Sequence, residues 1–169
     1  MKLIPLLFLP LALFFNSYGP PFKATVLRHD HIARMGGHLE SNPDTPTGES
    51  WVDAFEHTIT PNTWTIPNCI GHGFALVVDF ENVPKGVTTI DLRVDYPTMH
   101  LPDGTKQSSI ERKEELIRDG DYATFGYSYY FDEPYETNTG DWNFTLSHQD
   151  KVIYKATFTV AECTLPENE

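Results

Sequence analysis

Three stretches decide the fold of this chain: Tyr127-Ser-Tyr-Tyr-Phe131, Trp142-Asn-Phe-Thr-Leu146 and residues 152–160. Apolar and polar residues alternate in all three, the period of a β-strand with one buried face. The segments between them, Asp132-Glu-Pro-Tyr-Glu136 and Asn138-Thr-Gly-Asp141, hold residues that favour turns. The pattern predicts three consecutive antiparallel strands of an all-β sandwich, with Trp142, Phe144, Phe158, Val160, Leu76 and Val78 in its core.

The last two strands also predict their register. A three-residue loop, Gln149-Asp-Lys151, opposes apolar pairs throughout: Leu146 with Tyr154, Phe144 with Ala156, and Trp142 with Phe158. A two-residue loop would instead place Lys155 opposite Phe144. Because a slip of one residue turns the apolar set to the wrong face, we expect the three-residue loop.

Strand patterns continue upstream. Residues 22–32 and 51–59 have strand character, and residues 74–80 are apolar on nearly both faces, which is typical of a central strand. Residues 90–96 alternate cleanly and predict a half-buried strand. Residues 36–50 are rich in Gly, Pro, Ser and Thr and predict a long exposed loop. Residues 110–118, Ile-Glu-Arg-Lys-Glu-Glu-Leu-Ile-Arg, fit a short helix or a charged edge strand; the β surroundings favour the strand.

Composition limits the class of function. The chain has 169 residues, enough for one domain with its own core. Its formal net charge is -12. An acidic surface repels phosphate, so we expect no nucleic-acid partner. We expect a single sandwich of about seven to eight strands.

The N-terminus reads as a targeting segment. Lys2 precedes an apolar run of 13 residues, 3–15, interrupted by Pro5 and Pro10. A membrane-spanning helix needs about 20 residues, so a secretory signal peptide is the better interpretation, and an uncleaved anchor is the alternative. We assign residues 1–17 to the signal, with the cleavage site open, and residues 18–169 to the domain. The mature chain is then expected to be periplasmic or secreted, without a membrane span.

The chain resembles the bacterial family of domain of unknown function 3859. Its motifs are Phe131-Asp-Glu-Pro-Tyr-Glu136, Gly140-Asp-Trp-Asn-Phe144 and Phe158-Thr-Val160, with Tyr18-Gly19, Ile66-Pro67 and Gly73-Phe74 upstream. Asp141 stands where the family usually has an uncharged residue. The resemblance implies an immunoglobulin-like sandwich in an exported protein, and it transfers no active site.

Cys69 and Cys163 are the two cysteines. Export would place them where disulfides persist, and an even count leaves no spare thiol. Cys69 precedes one predicted strand and Cys163 follows the last, so a bridge is possible if those strand ends meet. The sequence favours the bridge; two buried thiols or two unrelated exposed ones stay open.

His29 and His31 are the candidate metal ligands. On a continuous strand they share one face, a spacing that suits copper or zinc. Further possible ligands are His38, His57, His72, Met99 and His100. No His-x-x-x-His or Cys-x-x-Cys spacing accompanies them, so we expect solvent-facing histidines and no cofactor.

Two other groups of polar residues are weaker candidates for a functional site. Asp132, Glu133, Glu136 and Asp141 could bind calcium or supply a glycosidase carboxylate pair, although Pro134 and Gly140 explain them as turn residues. Tyr127, Tyr129 and Tyr130 could form a platform for a sugar or a peptide. The chain has no nucleophile elbow and no phosphate loop.

Two functions follow as expectations. The leading one is a non-enzymatic exported module that binds another protein or a component of the cell envelope. The alternative is a metal-binding envelope protein that uses His29 and His31. The sequence alone does not identify the ligand.

Overall fold

The computed structural model describes residues 22–41 and 49–164. The predicted signal, residues 1–17, lies outside them, as does the C-terminal tail beyond Thr164. Within the described residues there are ten strands: β1 (Lys23–Ser41), β2 (Glu49–Thr60), β3 (Thr65–Pro67), β4 (His72–Glu81), β5 (Thr89–His100), β6 (Lys106–Glu115), β7 (Ile117–Asp119), β8 (Tyr122–Tyr130), β9 (Gly140–His148) and β10 (Lys151–Ala161). A 3-10 turn, Pro134–Glu136, follows β8.

The strands form two five-stranded sheets that pack face to face. The first sheet has the order β2-β1-β4-β8-β7, and the second has the order β3-β10-β9-β5-β6. All neighbours are antiparallel except β3 and β10, which are parallel. The predicted all-β sandwich is confirmed, and β4 is the central strand that its apolar faces predict.

The strand count differs from the expected seven to eight. Eight strands have nine residues or more, and the excess comes from β3 and β7, which have three residues each. Strands this short carry too little alternation to be recognised in a sequence. Their pairing depends on the neighbouring strand that the fold brings to them.

The loop expected at residues 36–50 is largely wrong. β1 runs to Ser41 and β2 begins at Glu49, so the two strands form a long hairpin; residues 42–48 lie outside the described residues. Gly36 and Gly37 have φ of 67° and 76°, a left-handed conformation that glycine adopts without strain. Cross-strand pairs such as Met35 with Phe55 explain why a glycine-rich segment is a strand here.

Residues 110–118 form strand and not helix, as their surroundings favour. They belong to β6 and β7, which are separated by the buried Leu116. β6 pairs with β5 in the second sheet, whereas β7 pairs with β8 in the first. The segment therefore passes from one sheet to the other, with Leu116 inside the core.

The β9–β10 hairpin has the predicted register but not the predicted loop. Leu146 pairs with Tyr154, Phe144 with Ala156, and Trp142 with Phe158. The loop, however, is the two residues Gln149 and Asp150, and both have positive φ. A bulge between Val152 and Tyr154 absorbs the extra residue. The bulge lets a tight turn coexist with the register that buries the apolar face.

The core is aromatic and centred on Phe74. This ring lies within 6.5 Å, centroid to centroid, of six other aromatic rings. They are Tyr127, Tyr129, Phe131, Trp142, Phe144 and Phe158. All six residues predicted for the core, from Leu76 to Val160, are buried. Alternation thus identified the inward face of the strands correctly.

A disulfide joins Cys69 and Cys163, whose Cα atoms are 5.0 Å apart. Cys69 follows β3, and Cys163 follows β10. The parallel pairing of these two strands, Ile66 with Val160, brings the ends together. The Asn68 N–H donates to the Ala161 carbonyl at 2.9 Å, which extends the pairing to the bridge.

Candidate binding cleft

An open cleft of about 690 Å³ lies between the two sheets, where β8 faces β6. Its floor consists of Tyr96, Met99, Tyr127 and Trp142. Gln107, Ile110 and Arg112 of β6 form one wall, and Ser128 and Tyr129 of β8 form the other. Glu133, Tyr135 and Glu136 close one end. The volume of the cleft and its aromatic lining are typical of sites that bind small ligands or peptides.

Trp142 is the deepest residue of the cleft. Its side chain is 1% exposed, and its indole stacks on Tyr96 at 4.7 Å and packs against Tyr129 at 4.8 Å. The buried Nε1–H has no hydrogen-bond acceptor among the described residues. A buried donor without an acceptor costs about 1–3 kcal/mol.

Glu136 ties the closed end of the cleft to β8. Its Oε1 accepts a hydrogen bond from the Tyr129 hydroxyl at 2.6 Å. Its Oε2 accepts the backbone N–H groups of Asp132 and Glu133, each at 2.8 Å. Both oxygens are therefore occupied in holding the 3-10 turn in place. This carboxylate positions the wall of the cleft.

The tyrosines of the cleft stay protonated at physiological pH. Burial raises the pKa of Tyr127 to about 12. Burial, followed by the Glu136 charge, also raises the pKa of Tyr129. The Tyr96 pKa is raised by burial as well. The hydroxyls thus act as neutral hydrogen-bonding groups rather than as bases or nucleophiles, which suits binding.

The rim is negatively charged. Glu133 and Asp103 line it, and hydrogen bonds from Thr105 lower the pKa of the Asp103 carboxyl. The one basic side chain among the lining residues is Arg112, which pairs with Glu114 and lies over the Tyr127 ring at 5.5 Å. A ligand segment with positive charge would meet favourable potential at this rim.

A second concavity, of about 430 Å³, lies on the outer face of the second sheet. Most of its charged side chains are already paired: Arg93 with Asp95 and Glu111, Lys113 with Asp91, and Arg112 with Glu114. It is more open than the cleft and has no aromatic floor. The cleft between β8 and β6 is the better candidate site.

The carboxylates of Asp132, Glu133, Glu136 and Asp141 do not lie around one common site. Asp132 forms an ion pair with Arg34, and Asp141 accepts a hydrogen bond from Thr159 at 2.9 Å. Only Glu133 and Glu136 line the cleft. In the described part of the chain, no group of three or more His, Cys, Asp or Glu side chains is close enough to hold a metal ion. The four carboxylates therefore form no calcium cluster.

His29 and His31 have different partners. The His29 imidazole stacks on Trp64 at 4.1 Å. The His31 Nε2 lies 2.8 Å from His72 Nδ1, a hydrogen bond between two imidazoles. His31 is buried, and burial followed by the neighbouring His72 lowers its pKa to about 4. The structure pairs His31 with a histidine 41 positions away and not with His29.

Of the remaining candidate residues, His38 and His100 are exposed, and Met99 lies in the floor of the cleft. Gly71-His-Gly73 marks the entry to β4: a Cβ at Gly73 would lie 1.8 Å from the Tyr129 carbonyl oxygen. Tyr130 lies outside the cleft, where its ring contacts Arg34 at 4.2 Å.

Among the described residues there is no helix with the length and hydropathy needed to cross a membrane.

Sequence reasoning found parts of this site but not the site itself. It named Tyr127 and Tyr129 as a possible sugar or peptide platform, and Glu133 and Glu136 as possible ligand-binding carboxylates. The structure places all four around one cleft. Sequence reasoning missed Tyr96 and the β6 wall, and it named Met99 only as a possible metal ligand. Residues far apart in the chain carry no local pattern that relates them.

Comparisons with known proteins agree with this architecture. A family model described as domain of unknown function (DUF3859) matches residues 39–160. The match contains every quoted motif except Tyr18-Gly19. No curated protein matches the chain. The crystal structure of an immunoglobulin-like protein from Pseudomonas aeruginosa has a TM-score of 0.53 and 20% sequence identity, covering 84% of this chain and 93% of that chain. At this identity the likeness shows an immunoglobulin-like fold.

Proposed function

The chain belongs to the family of domain of unknown function DUF3859, and we propose that it is an exported, non-enzymatic binding module. Its binding site is the cleft between β8 and β6, and its partner is a protein or another envelope component. The observation that carries this proposal is the aromatic floor of a cleft of about 690 Å³, formed by Tyr96, Tyr127 and Trp142.

The chemistry of the cleft supports binding rather than reaction. Glu136 is occupied by three hydrogen bonds, and the raised pKa values of Tyr127 and Tyr129 keep both hydroxyls neutral. A glycosidase needs one free carboxylate and one acid on opposite sides of a bond. The other carboxylates that line the cleft are also engaged: Glu133 forms a capping box with Glu136, and Asp103 accepts hydrogen bonds from Thr105. Aromatic rings with a few hydrogen-bonding groups are typical of recognition sites.

The exported part of the proposal has two supports. One is the apolar run at residues 3–15 behind Lys2, which has the length of a secretory signal. The other is the disulfide between Cys69 and Cys163, since structural disulfides persist mainly in oxidising compartments. Fractionation of the producing bacterium tests this: we expect the protein in the periplasm or the medium. Recovery in the cytoplasm alone would overturn the exported part.

Site-specific photocrosslinking tests the binding part. A benzophenone amino acid at position 107, in the β6 wall, should give a discrete adduct in the producing bacterium. The same amino acid at position 155, exposed on β10 and outside the cleft, is the matched control. A Tyr135→Ala change should weaken the adduct at position 107. No adduct at position 107, or equal adducts at both positions, would contradict the proposal.

A further inference from the structure

One edge of β8 is paired over only a third of its length. β7 pairs with Tyr122, Ala123 and Thr124 on that side. From residue 125 to residue 130, no strand among the described residues pairs there, while β4 pairs along the opposite side from Gly73 to Phe80. β8 therefore presents an open backbone edge, and this edge lies beside the cleft, where Ser128 and Tyr129 form one wall.

The direction of the open backbone groups follows from the ladder. The Phe131 N–H, just after β8, donates to the His72 carbonyl on the β4 side at 2.8 Å. Alternate residues of a strand direct their backbone groups to opposite edges. Gly126, Ser128 and Tyr130 therefore direct their N–H and C=O groups to the open edge. These groups recur about every 7 Å, which is the two-residue repeat of a strand.

The two edges that border the cleft differ in their side chains. β6 carries Glu111, Arg112, Lys113 and Glu115, and charges on an edge strand discourage pairing with another chain. Residues 126–130 of β8, Gly-Tyr-Ser-Tyr-Tyr, carry no charge. Gly126 is exposed, and a Cβ there would meet nothing within 4 Å. One edge is protected and the other is left able to pair.

We propose that the ligand of the cleft is an extended peptide segment of another protein, which pairs with β8 along residues 126–130. The inference rests on the proposed function. A peptide backbone supplies alternating donors and acceptors with the repeat of this edge, as in other cases of strand addition. Alternate side chains of the segment would point at Tyr96 and Trp142, which suits an apolar or aromatic residue. A basic residue would lie beside Glu133 at the acidic rim.

The probe is a library of random eight-residue peptides displayed on phage and selected against the full mature chain. Selected sequences are synthesised in three forms: unmodified, and N-methylated on either set of alternate residues. Strand pairing uses the N–H groups of one set only. We expect one methylated form to bind at least about tenfold more weakly, and the other to stay within about threefold of the unmodified peptide.

A matched pair of variants tests the β8 side. Ser128→Pro removes the N–H at the open edge and leaves the β4 ladder intact, whereas Ser128→Ala keeps that N–H. Both lose the hydroxyl contact with Glu56. We expect Ser128→Pro to abolish peptide binding and Ser128→Ala to retain it. Because proline could disturb the fold, amide exchange of the unmodified chain gives a second measurement: peptide should protect the Gly126 and Ser128 amides.

The outcomes separate the two proposals. Equal binding of both methylated peptides, with unprotected Gly126 and Ser128 amides, would overturn strand pairing. Strand pairing would also be overturned if position 107 gives an adduct but the library yields no binding peptide. An adduct at position 107 that proves to be a saccharide would overturn it as well. In those cases the cleft remains a binding site. Absence of any adduct at position 107 contradicts the proposed function itself.

Discussion

The two long sides of this sandwich are built differently. On one side, residues 62–64 join the sheets: the Thr63 N–H donates to His29 of β1, and Trp64 accepts from the Thr159 N–H of β10. The Trp64 ring stacks on His29 at 4.1 Å and packs on Phe158 at 4.9 Å. We call this the closed side. On the open side, between β8 and β6, no such segment occurs among the described residues, and the cleft remains.

Three rings, those of His29, Trp64 and Phe158, pack together across the closed side. The open side has as many rings, but they line its floor: Tyr96, Tyr127 and Trp142. The closed side also has the Cys69–Cys163 bridge near its end, where β3 pairs with β10. We therefore expect the residues of the closed side to contribute to stability, and those of the open side to contribute to binding as well.

The largest effect is expected from Trp142→Ala, which removes the ring that floors the open side and packs in the core. The change should lower the free energy of unfolding by about 3–5 kcal/mol. Urea unfolding of the purified mature chain measures it. Trp51→Ala is the control, because Trp51 is 39% exposed and should cost less than about 1 kcal/mol. Equal costs would contradict the burial of Trp142.

Removal of the disulfide should come next. The bridge spans 94 residues, and Cys69→Ala/Cys163→Ala should lower the free energy of unfolding by about 2–4 kcal/mol. Reduction of the unaltered chain should give the same loss. Denatured, unreduced protein should show no reactive thiol. Two reactive thiols per chain would mean that the bridge does not form.

A pair of aromatic truncations compares the two sides directly. Trp64→Ala opens the closed side and should cost about 2 kcal/mol, because the ring joins both sheets. Tyr135→Ala, at the end of the open side, should cost less than about 1 kcal/mol while weakening the adduct at position 107. Thermal unfolding of the two variants checks the difference. The reverse order would exchange the roles that we assign to the two sides.

A further effect on stability is expected from pH, through the His31–His72 pair. The His31 pKa is lowered from 6.5 to about 4, so the unfolded chain binds the proton first. Stability should therefore fall as pH decreases from 6.5 toward 4, by at most about 1.4 kcal/mol per pH unit for this group. Urea midpoints at pH 7 and pH 5 measure the slope. His31→Gln should reduce it, while His100→Gln, at an exposed site, should not.

The sequence predicted the elements whose pattern is local. The register of β9 and β10 followed from Trp142, Phe144 and Phe158, because one slip would bury lysine. The bulge between Val152 and Tyr154 was not predictable in the same way. The bulge lets the two-residue turn at Gln149 and Asp150 occur together with the register that buries the apolar face. Neither the turn nor the register requires a bulge by itself.

The cleft was predictable only in part. Tyr127 and Tyr129 suggested a platform, but the opening depends on where β7 stops pairing with β8. That point is set by Leu116, which turns into the core as the chain passes between sheets. The His31–His72 contact is another case, since 41 positions separate the two residues. Long-range contacts of this kind leave no period in a sequence.

The disulfide also determines how far this domain is able to stretch. If force is applied at residues 22 and 164, the bridge at Cys69 and Cys163 bears the load directly, and the 94 residues of sequence separation between them are shielded from it. An extended chain spans at most about 3.3–3.6 Å per residue, so roughly 320 Å of length stays hidden while the bridge is intact. Only the part before Cys69, including β1 and β2, unravels. All the residues that line the cleft lie within the shielded segment.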